Sequence, residues 1–308
     1  MTRTRFAGRA LVAMAAVAAL GLSACGATSN PTSPASSGGS VATSSAVVVG
    51  AADFSESQVL AEIYAAALSA KGVPATTRPN IGSREIYLKA LTDKSVDIVP
   101  EYTGSLLSYL KKDSTAKASD EVYAALKAAL PADLQLLAKS AAEDKNSIVV
   151  TKDTAAKWSL TQIGDLVAHQ AEVAVAAPPE FQSRQQGLVG LKSDYGFEPK
   201  DFRPLKGKAI VDALLNGQAQ AANIFSTDPS ISANGFVTLA DPKLLFGSDN
   251  VVPLVRKDKV TDTVSKALDA VSAKLDTATL TDLVKQVDVD KKDAKVVAKE
   301  WLTKLGLA

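Results

Sequence analysis

Reactive side chains are scarce in this 308-residue chain, which has one cysteine, Cys25, and one histidine, His169. A lone cysteine forms no internal disulfide, and one cysteine with one histidine leaves no zinc or redox ligand set. Ser-His-Asp catalysis would have to use His169. That residue closes the helical pattern around Leu166-Val167-Ala168-His169, where a cation suits the helix dipole and a surface or capping role is expected. No glycine-rich phosphate loop follows a strand pattern. An excess of one charge is also missing: 34 Lys+Arg against 33 Asp+Glu give a net +1. A nucleic-acid binder would show a basic face, so no such partner is expected. With no catalytic set, metal or cofactor in view, the inventory favours a binder over an enzyme.

Asymmetry appears at the N-terminus. Arg3, Arg5 and Arg9 precede a twelve-residue apolar run from Ala10 to Gly21, and then Leu22-Ser23-Ala24-Cys25. A basic start, a short apolar core and small residues describe a secretory signal peptide, too short to span a bilayer permanently. Loss of those three arginines takes the net charge from +1 to −2. The Leu-Ser-Ala-Cys tetrapeptide resembles the lipobox of bacterial lipoproteins, which implies cleavage before Cys25 and acylation of its thiol; a secreted chain with a chance cysteine is the alternative. Residues 26–45 are rich in Ser, Thr, Pro and Gly without apolar periodicity, the composition of a flexible tether. The expected division is therefore 1–24 signal peptide and 25–45 lipidated cysteine and tether. No later run of 18 apolar residues would cross a membrane.

From Ala46 onward, strand and helix patterns alternate. Val47-Val48-Val49-Gly50 reads as a buried strand, Ser55–Gln58 as a capping box, and Val59, Leu60, Ile63, Ala66 and Ala67 as one helical face closed by Gly72. Ser83 caps a second helix, and Val96–Val99 is the next strand. Further strands are expected at 148–150, 173–177, 221–225, 236–239 and 251–255. Helices are expected around 120–130, 160–169, 182–195, 208–216, 260–273 and 294–305. Such alternation predicts an α/β fold with mostly parallel sheets, and its length favours two lobes with a ligand cleft between them. Asp97 and Glu101 flank a strand end and read as solvated or capping acids rather than a catalytic pair.

Four stretches carry a more specific resemblance: Gly50-Ala51-Ala52-Asp53-Phe54-Ser55-Glu56, Asp97–Gly104 with its Pro-Glu-Tyr-Thr-Gly, Gly187–Leu191 and Asn223–Asp228. Together with the closing Val296–Leu302 they resemble the quaternary-amine-binding components of ABC importers. That is the ProX- or OpuAC-type osmoprotectant family, which takes up glycine betaine, carnitine and choline. The resemblance implies a two-lobe type II periplasmic-binding fold, with lobe I at 46–148 plus 248–308 and lobe II at 149–247. It implies an extracytoplasmic, lipid-anchored monomer without a cofactor, and as partners an ABC permease and its ATPase.

The same resemblance places site residues. Tyr102 falls on a cage tyrosine, Ser105 on a hydroxyl that meets the ligand carboxylate, Arg184 on the carboxylate-binding arginine, and Phe225 on a second cage ring. Cation–π attraction suits a trimethylammonium group because it donates no conventional hydrogen bond. Departures are visible too. Asp144-Lys145-Asn146 stands where relatives carry another tyrosine, and Gly247-Ser248-Asp249-Asn250 replaces the segment of the last one. Asp144, Asn146, Asp249 and Thr227 thus join the expected ligand-binding set, either compensating for lost rings or binding hydroxyls of a different solute, such as a polyhydroxylated aromatic or an amino acid. Plainer roles compete: Tyr102 and Phe225 as core, Arg184 paired with Glu180, and Thr103 and Thr227 as helix caps. A ligand sensor without transport is the alternative function.

Overall fold

The computed structural model describes residues 46–308; Cys25, the apolar run before it and the 25–45 tether lie outside the described residues. The chain first builds β1 (Val47–Gly50), α1 (Ser55–Ala70), β2 (Ala75–Arg78), α2 (Arg84–Thr92), β3 (Ile98–Tyr102), α3 (Thr103–Leu110), α4 (Ser119–Ala129) and β4 (Leu134–Leu136). It then crosses into β5 (Asn146–Val150), α5 (Lys152–Trp158), β6 (Ala174–Ala177), α6 (Gly190–Tyr195), β7 (Asp201–Pro204), α7 (Lys208–Leu215), β8 (Ala221–Phe225), α8 (Ser230–Ala233) and β9 (Val237–Thr238). A second crossing returns it through β10 (Val251–Arg256) to α9 (Asp262–Ser272), α10 (Thr277–Asp288) and α11 (Ala294–Lys304).

Two five-stranded sheets result, ordered β2-β1-β3-β10-β4 and β7-β6-β8-β5-β9. The sheets are mixed, which corrects the mostly parallel expectation. β10 runs antiparallel to β3 and β4, and β5 antiparallel to β8 and β9. The reversed strand in each sheet is the one that follows a crossing, because the chain enters from the cleft end with no crossover helix to turn it. The two crossings bridge each other at Glu143 and Asn250, and Asp144 N donates to Asp249 O at 3.1 Å. β5 pairs only within the second sheet, so the expected edge between residues 148 and 149 falls inside a strand and the change of sheet precedes Asn146.

Apolar periodicity explains most elements. Val59, Leu60, Ile63, Tyr64 and Leu68 of α1 are sealed against α9, α10 and α11; each such side chain contributes about 1.5–3 kcal/mol. The helix ends as expected at Gly72, whose φ of +76° suits glycine. Gly72 N donates to Ser69 O and Val73 N to Leu68 O, the paired bonds of a Schellman end. In the second lobe Ile148, Val150, Val175 and Leu166 pack with Phe181, Phe197 and Phe246.

Several local expectations fail for identifiable reasons. The helix start slips by one residue: Phe54 is the N-cap without a side-chain bond, and Gln58 Nε2 reaches Asn80 Oδ1 at 2.9 Å instead of back to the cap. The 160–169 helix is a 3₁₀ turn at Ile163–His169, with His169 stacked on Trp158. The 182–195 helix breaks into a 3₁₀ turn at Pro179–Gln182, a widened turn at Gln185–Val189 and α6. Gln186 and Gly187 leave helical geometry there, and a Cβ on Gly187 would sit 2.0 Å from Phe181 O. Strands β2, β4 and β7 and helices α5 and α10 have no counterpart in the sequence reading. Asp97 and Glu101 are not solvated: both are buried, Asp97 bonded to Arg256 at 2.8 Å and Glu101 to Arg84 at 2.7 Å.

Candidate binding cleft

The cleft forms where the fold places it, beyond the carboxyl ends of β1, β3 and β8. It encloses about 280 Å³, and the lining includes Tyr102, Ser105, Asp144, Asn146, Arg184, Phe225, Thr227 and Asp249, so all eight residues named from the sequence meet in one space. Tyr102 ends β3 and Phe225 ends β8. Phe54, in the loop after β1, stands between them, with ring centroids 6.2 Å from Tyr102 and 5.6 Å from Phe225 and tilts of 33° and 32°. Three rings this close make a continuous wall rather than a box around a guest. The sequence reading missed Phe54, although it lies in one of the stretches that carried the resemblance.

Beside the wall is a buried acidic pair. Glu56, in the first turn of α1, accepts from Tyr102 Oη at 2.7 Å and from Thr227 Oγ1 at 2.6 Å, so one carboxyl ties the first lobe to the second. Asp144 accepts from Thr227 N at 3.2 Å and Ser226 Oγ at 3.3 Å. Burial pushes the Glu56 carboxyl up to about 7, against the lowering bonds from Thr227, Tyr102 and Asp144. Burial, then the charge of Glu56, pushes Asp144 well above the carboxylate range. No lysine or arginine forms an ion pair with either acid among the described residues. A cation in the cleft favours the ionised form of the pair, so cation binding and loss of these protons reinforce each other.

Other expected residues carry duties the sequence did not reveal. Asp249 caps α3: its Oδ1 accepts from Gly104 N at 2.7 Å and Ser105 N at 2.9 Å, and Ser105 Oγ donates to Oδ2 at 2.5 Å. Gly104 makes this possible, since a Cβ there would lie 2.3 Å from Ser248 O of the second crossing. Ser105 Oγ also lies 3.0 Å from Gln186 Oε1, at the base of the widened turn, and Asn146 accepts from Asn223 at 3.1 Å. Arg184 pairs not with Glu180 but with Glu85 of α2, at 3.1 Å across the cleft. Partial burial raises the Glu85 carboxyl, but bonds from Ser83 and Arg184 outweigh it and hold the group at about 2. Lys206 Nζ reaches Asp53 Oδ2 at 2.5 Å, a second bridge between the lobes. Neither Thr103 nor Thr227 caps a helix: Asn250 N donates to Thr103 Oγ1 at 3.0 Å, and Thr227 is spent on Glu56.

Two sheets joined by two crossings around a shared cleft define a two-lobe solute-binding protein. The chain belongs to the family described as the substrate binding domain of the ABC-type glycine betaine transport system, whose sequence profile matches residues 45–304. It is 30% identical over 278 residues to the glycine betaine-binding protein YehZ of Escherichia coli, covering 85% of this chain and 91% of that one. It is 26% identical to a glycine-betaine-binding protein of Pseudomonas aeruginosa, over 82% of this chain and 86% of the relative. A crystal structure of a glycine betaine/carnitine/choline ABC transporter shares the fold with a TM-score of 0.68 and 24% identity, over 85% of this chain and 99% of that one. The protein is thus a substrate-binding component of an ABC importer and not an enzyme; such components work outside the cytoplasm with a membrane permease. No helix among the described residues is long and apolar enough to cross a membrane.

Proposed function

We propose that the protein captures a quaternary-amine solute of the glycine betaine, choline or carnitine kind and delivers it to an ABC permease driven by its ATPase. The three-ring wall of Phe54, Tyr102 and Phe225 over the buried Glu56–Asp144 pair carries this reading. An ammonium head without N–H groups is held by ring faces and by carboxyls that can ionise beside it, and the cleft offers both. Closure completes the site, because Phe54 and Tyr102 come from the first lobe, and Phe225 and Thr227 from the second. Tyr102, Ser105, Asp144, Asn146, Phe225, Thr227 and Asp249 act here as ligand-facing or ligand-positioning groups, while Arg184 serves first as a bridge to Glu85. Calorimetric titration with choline, glycine betaine and carnitine tests the reading. Phe54→Ala, Tyr102→Ala and Phe225→Ala should each weaken the bound solute by about 0.5–2 kcal/mol. Unchanged affinity in all three would rule out the wall as the binding surface.

The proposal extends to the N-terminus, where Leu22-Ser23-Ala24-Cys25 suits an acylated cysteine that keeps a monomeric receptor beside its permease. Two or three acyl chains, at about 0.8 kcal/mol per buried methylene, make such anchoring stable. Cys25→Ala should release folded protein from the membrane fraction or leave an uncut precursor. A mature-length variant that still sediments with membranes would refute the anchor.

A further inference from the structure

We propose that Asn223 is a specificity-determining residue that reads a hydrogen-bond donor on the ligand, so that the cleft prefers a quaternary ammonium bearing an O–H or N–H over one without. This rests on the quaternary-amine reading above and narrows it. Asn223 lies two residues before Phe225 on β8, so both side chains face the same way, about 7 Å apart along the strand. Both line the cleft, and Asn223 is only 3% exposed.

The orientation of its amide follows from its neighbours. Nδ2 donates to Ser147 O at 3.2 Å and to Asn146 Oδ1 at 3.1 Å. A backbone carbonyl only accepts, so the nitrogen must be on that side and Oδ1 on the other. Among the described residues nothing donates to Oδ1. Nor is that oxygen sealed away, for among the described residues the one fully enclosed side-chain polar atom without a partner is Ser230 Oγ. An amide that lines the cleft, is nearly buried and is held by two bonds through Nδ2 leaves Oδ1 as the acceptor that a ligand donor completes.

The charges around it point the same way. The cations on the cleft wall are committed: Arg84 to Glu101, Arg184 to Glu85 and Lys206 to Asp53. Glu56 already accepts from Tyr102 and Thr227, and Asp144 from Ser226 and Thr227, and neither brings a positive charge to the cleft. A zwitterion such as glycine betaine brings a carboxylate, which only accepts, to a space whose three cations are already paired. A hydroxyl two carbons from the ammonium can lie toward Asn223 while the head rests on Phe225. Leaving such an acceptor unpaired costs most of its desolvation, which is how a site rejects an isostere that lacks the donor.

The test is calorimetric titration of the full chain with three probes: choline, n-propyltrimethylammonium, in which a methyl replaces the hydroxyl, and glycine betaine. Choline should bind at least about tenfold more tightly than its propyl analogue, and more tightly than glycine betaine. In Asn223→Leu, checked for an intact unfolding transition, choline and the propyl analogue should converge. Should that variant not fold, the ligand series on the unaltered chain decides alone. Equal binding of choline and the propyl analogue, or glycine betaine binding best, would overturn the role of Asn223 while the quaternary-amine reading stands. If none of the three binds, both fall.

Discussion

Arg84→Met is expected to cost about 3–5 kcal/mol of unfolding free energy, the penalty for stranding a buried charge. Glu101 is fully buried, and Arg84 meets it through Nε at 2.7 Å and Nη2 at 3.0 Å. Tyr87 Oη at 2.7 Å and Tyr102 N at 2.7 Å also donate to the same carboxylate. Without the guanidinium, those two neutral donors are left to hold a charge in the core of lobe I. Adding Glu101→Gln should restore part of the loss, since the charge is gone and the amide oxygen can still accept from one of the two donors, Tyr87 Oη on Oε1 or Tyr102 N on Oε2. Denaturant unfolding of the single and double variants measures both. A single variant that loses less than about 1 kcal/mol would mean that Arg84 is not what neutralises Glu101.

Stability should fall as pH rises from about 5 to about 7, unlike proteins whose carboxylates are mostly salt-bridged. Burial lifts Glu56 from 4.5 to about 7 and Asp249 from 3.8 to about 7, each against lowering hydrogen bonds, and Asp144 is raised as well. A carboxyl that holds its proton more tightly when folded contributes fully below its unfolded value. That contribution drains away as pH climbs to the folded value, at about 1.4 kcal/mol per pH unit for each group. Glu85 and Asp165, both held at about 2, work in the opposite sense, but their stabilisation is lost only below about pH 4. Thermal unfolding at pH 5 and pH 8 should therefore show the higher midpoint at pH 5. Glu56→Gln, neutral at every pH, should shrink that difference. A midpoint that rises from pH 5 to pH 8 would contradict the assignment of these acids as proton-holding.

The lock between the lobes was only half legible in the sequence. Tyr102, Phe225 and Thr227 were readable because the first two end strands, and the third follows two residues on, in motifs with a family likeness. Glu56 was not, because an acid in the first turn of a helix has an ordinary role at a helix start. Its second role depends on Thr227, 171 residues away, arriving within 2.6 Å. Arg184 shows the same limit in reverse. The sequence named it for the site, yet its partner was set by Glu85, 99 residues earlier on the facing lobe. The break at Gln186 and Gly187 was hidden as well, since Gln182–Tyr195 has an acceptable helical pattern. Only the approach of Phe181 O to Gly187 shows why no side chain fits there.

By itself the sequence determined what depends on near neighbours. The strand-and-helix alternation, the apolar face of α1, the glycine that closes it and the motifs at the strand ends are all written within a few residues, where backbone propensity and side-chain period act. The N-terminal Leu22-Ser23-Ala24-Cys25 pattern behind the proposed anchor is local in the same way. Tertiary structure alone decided the reversed strands β5 and β10, the burial of Glu56 and Asp144, the capping duty of Asp249 and the orientation of the Asn223 amide. Each of these depends on burial and on a partner far along the chain, and neither the loss of water nor the identity of that partner exists until the two sheets have formed and the crossings have brought them face to face.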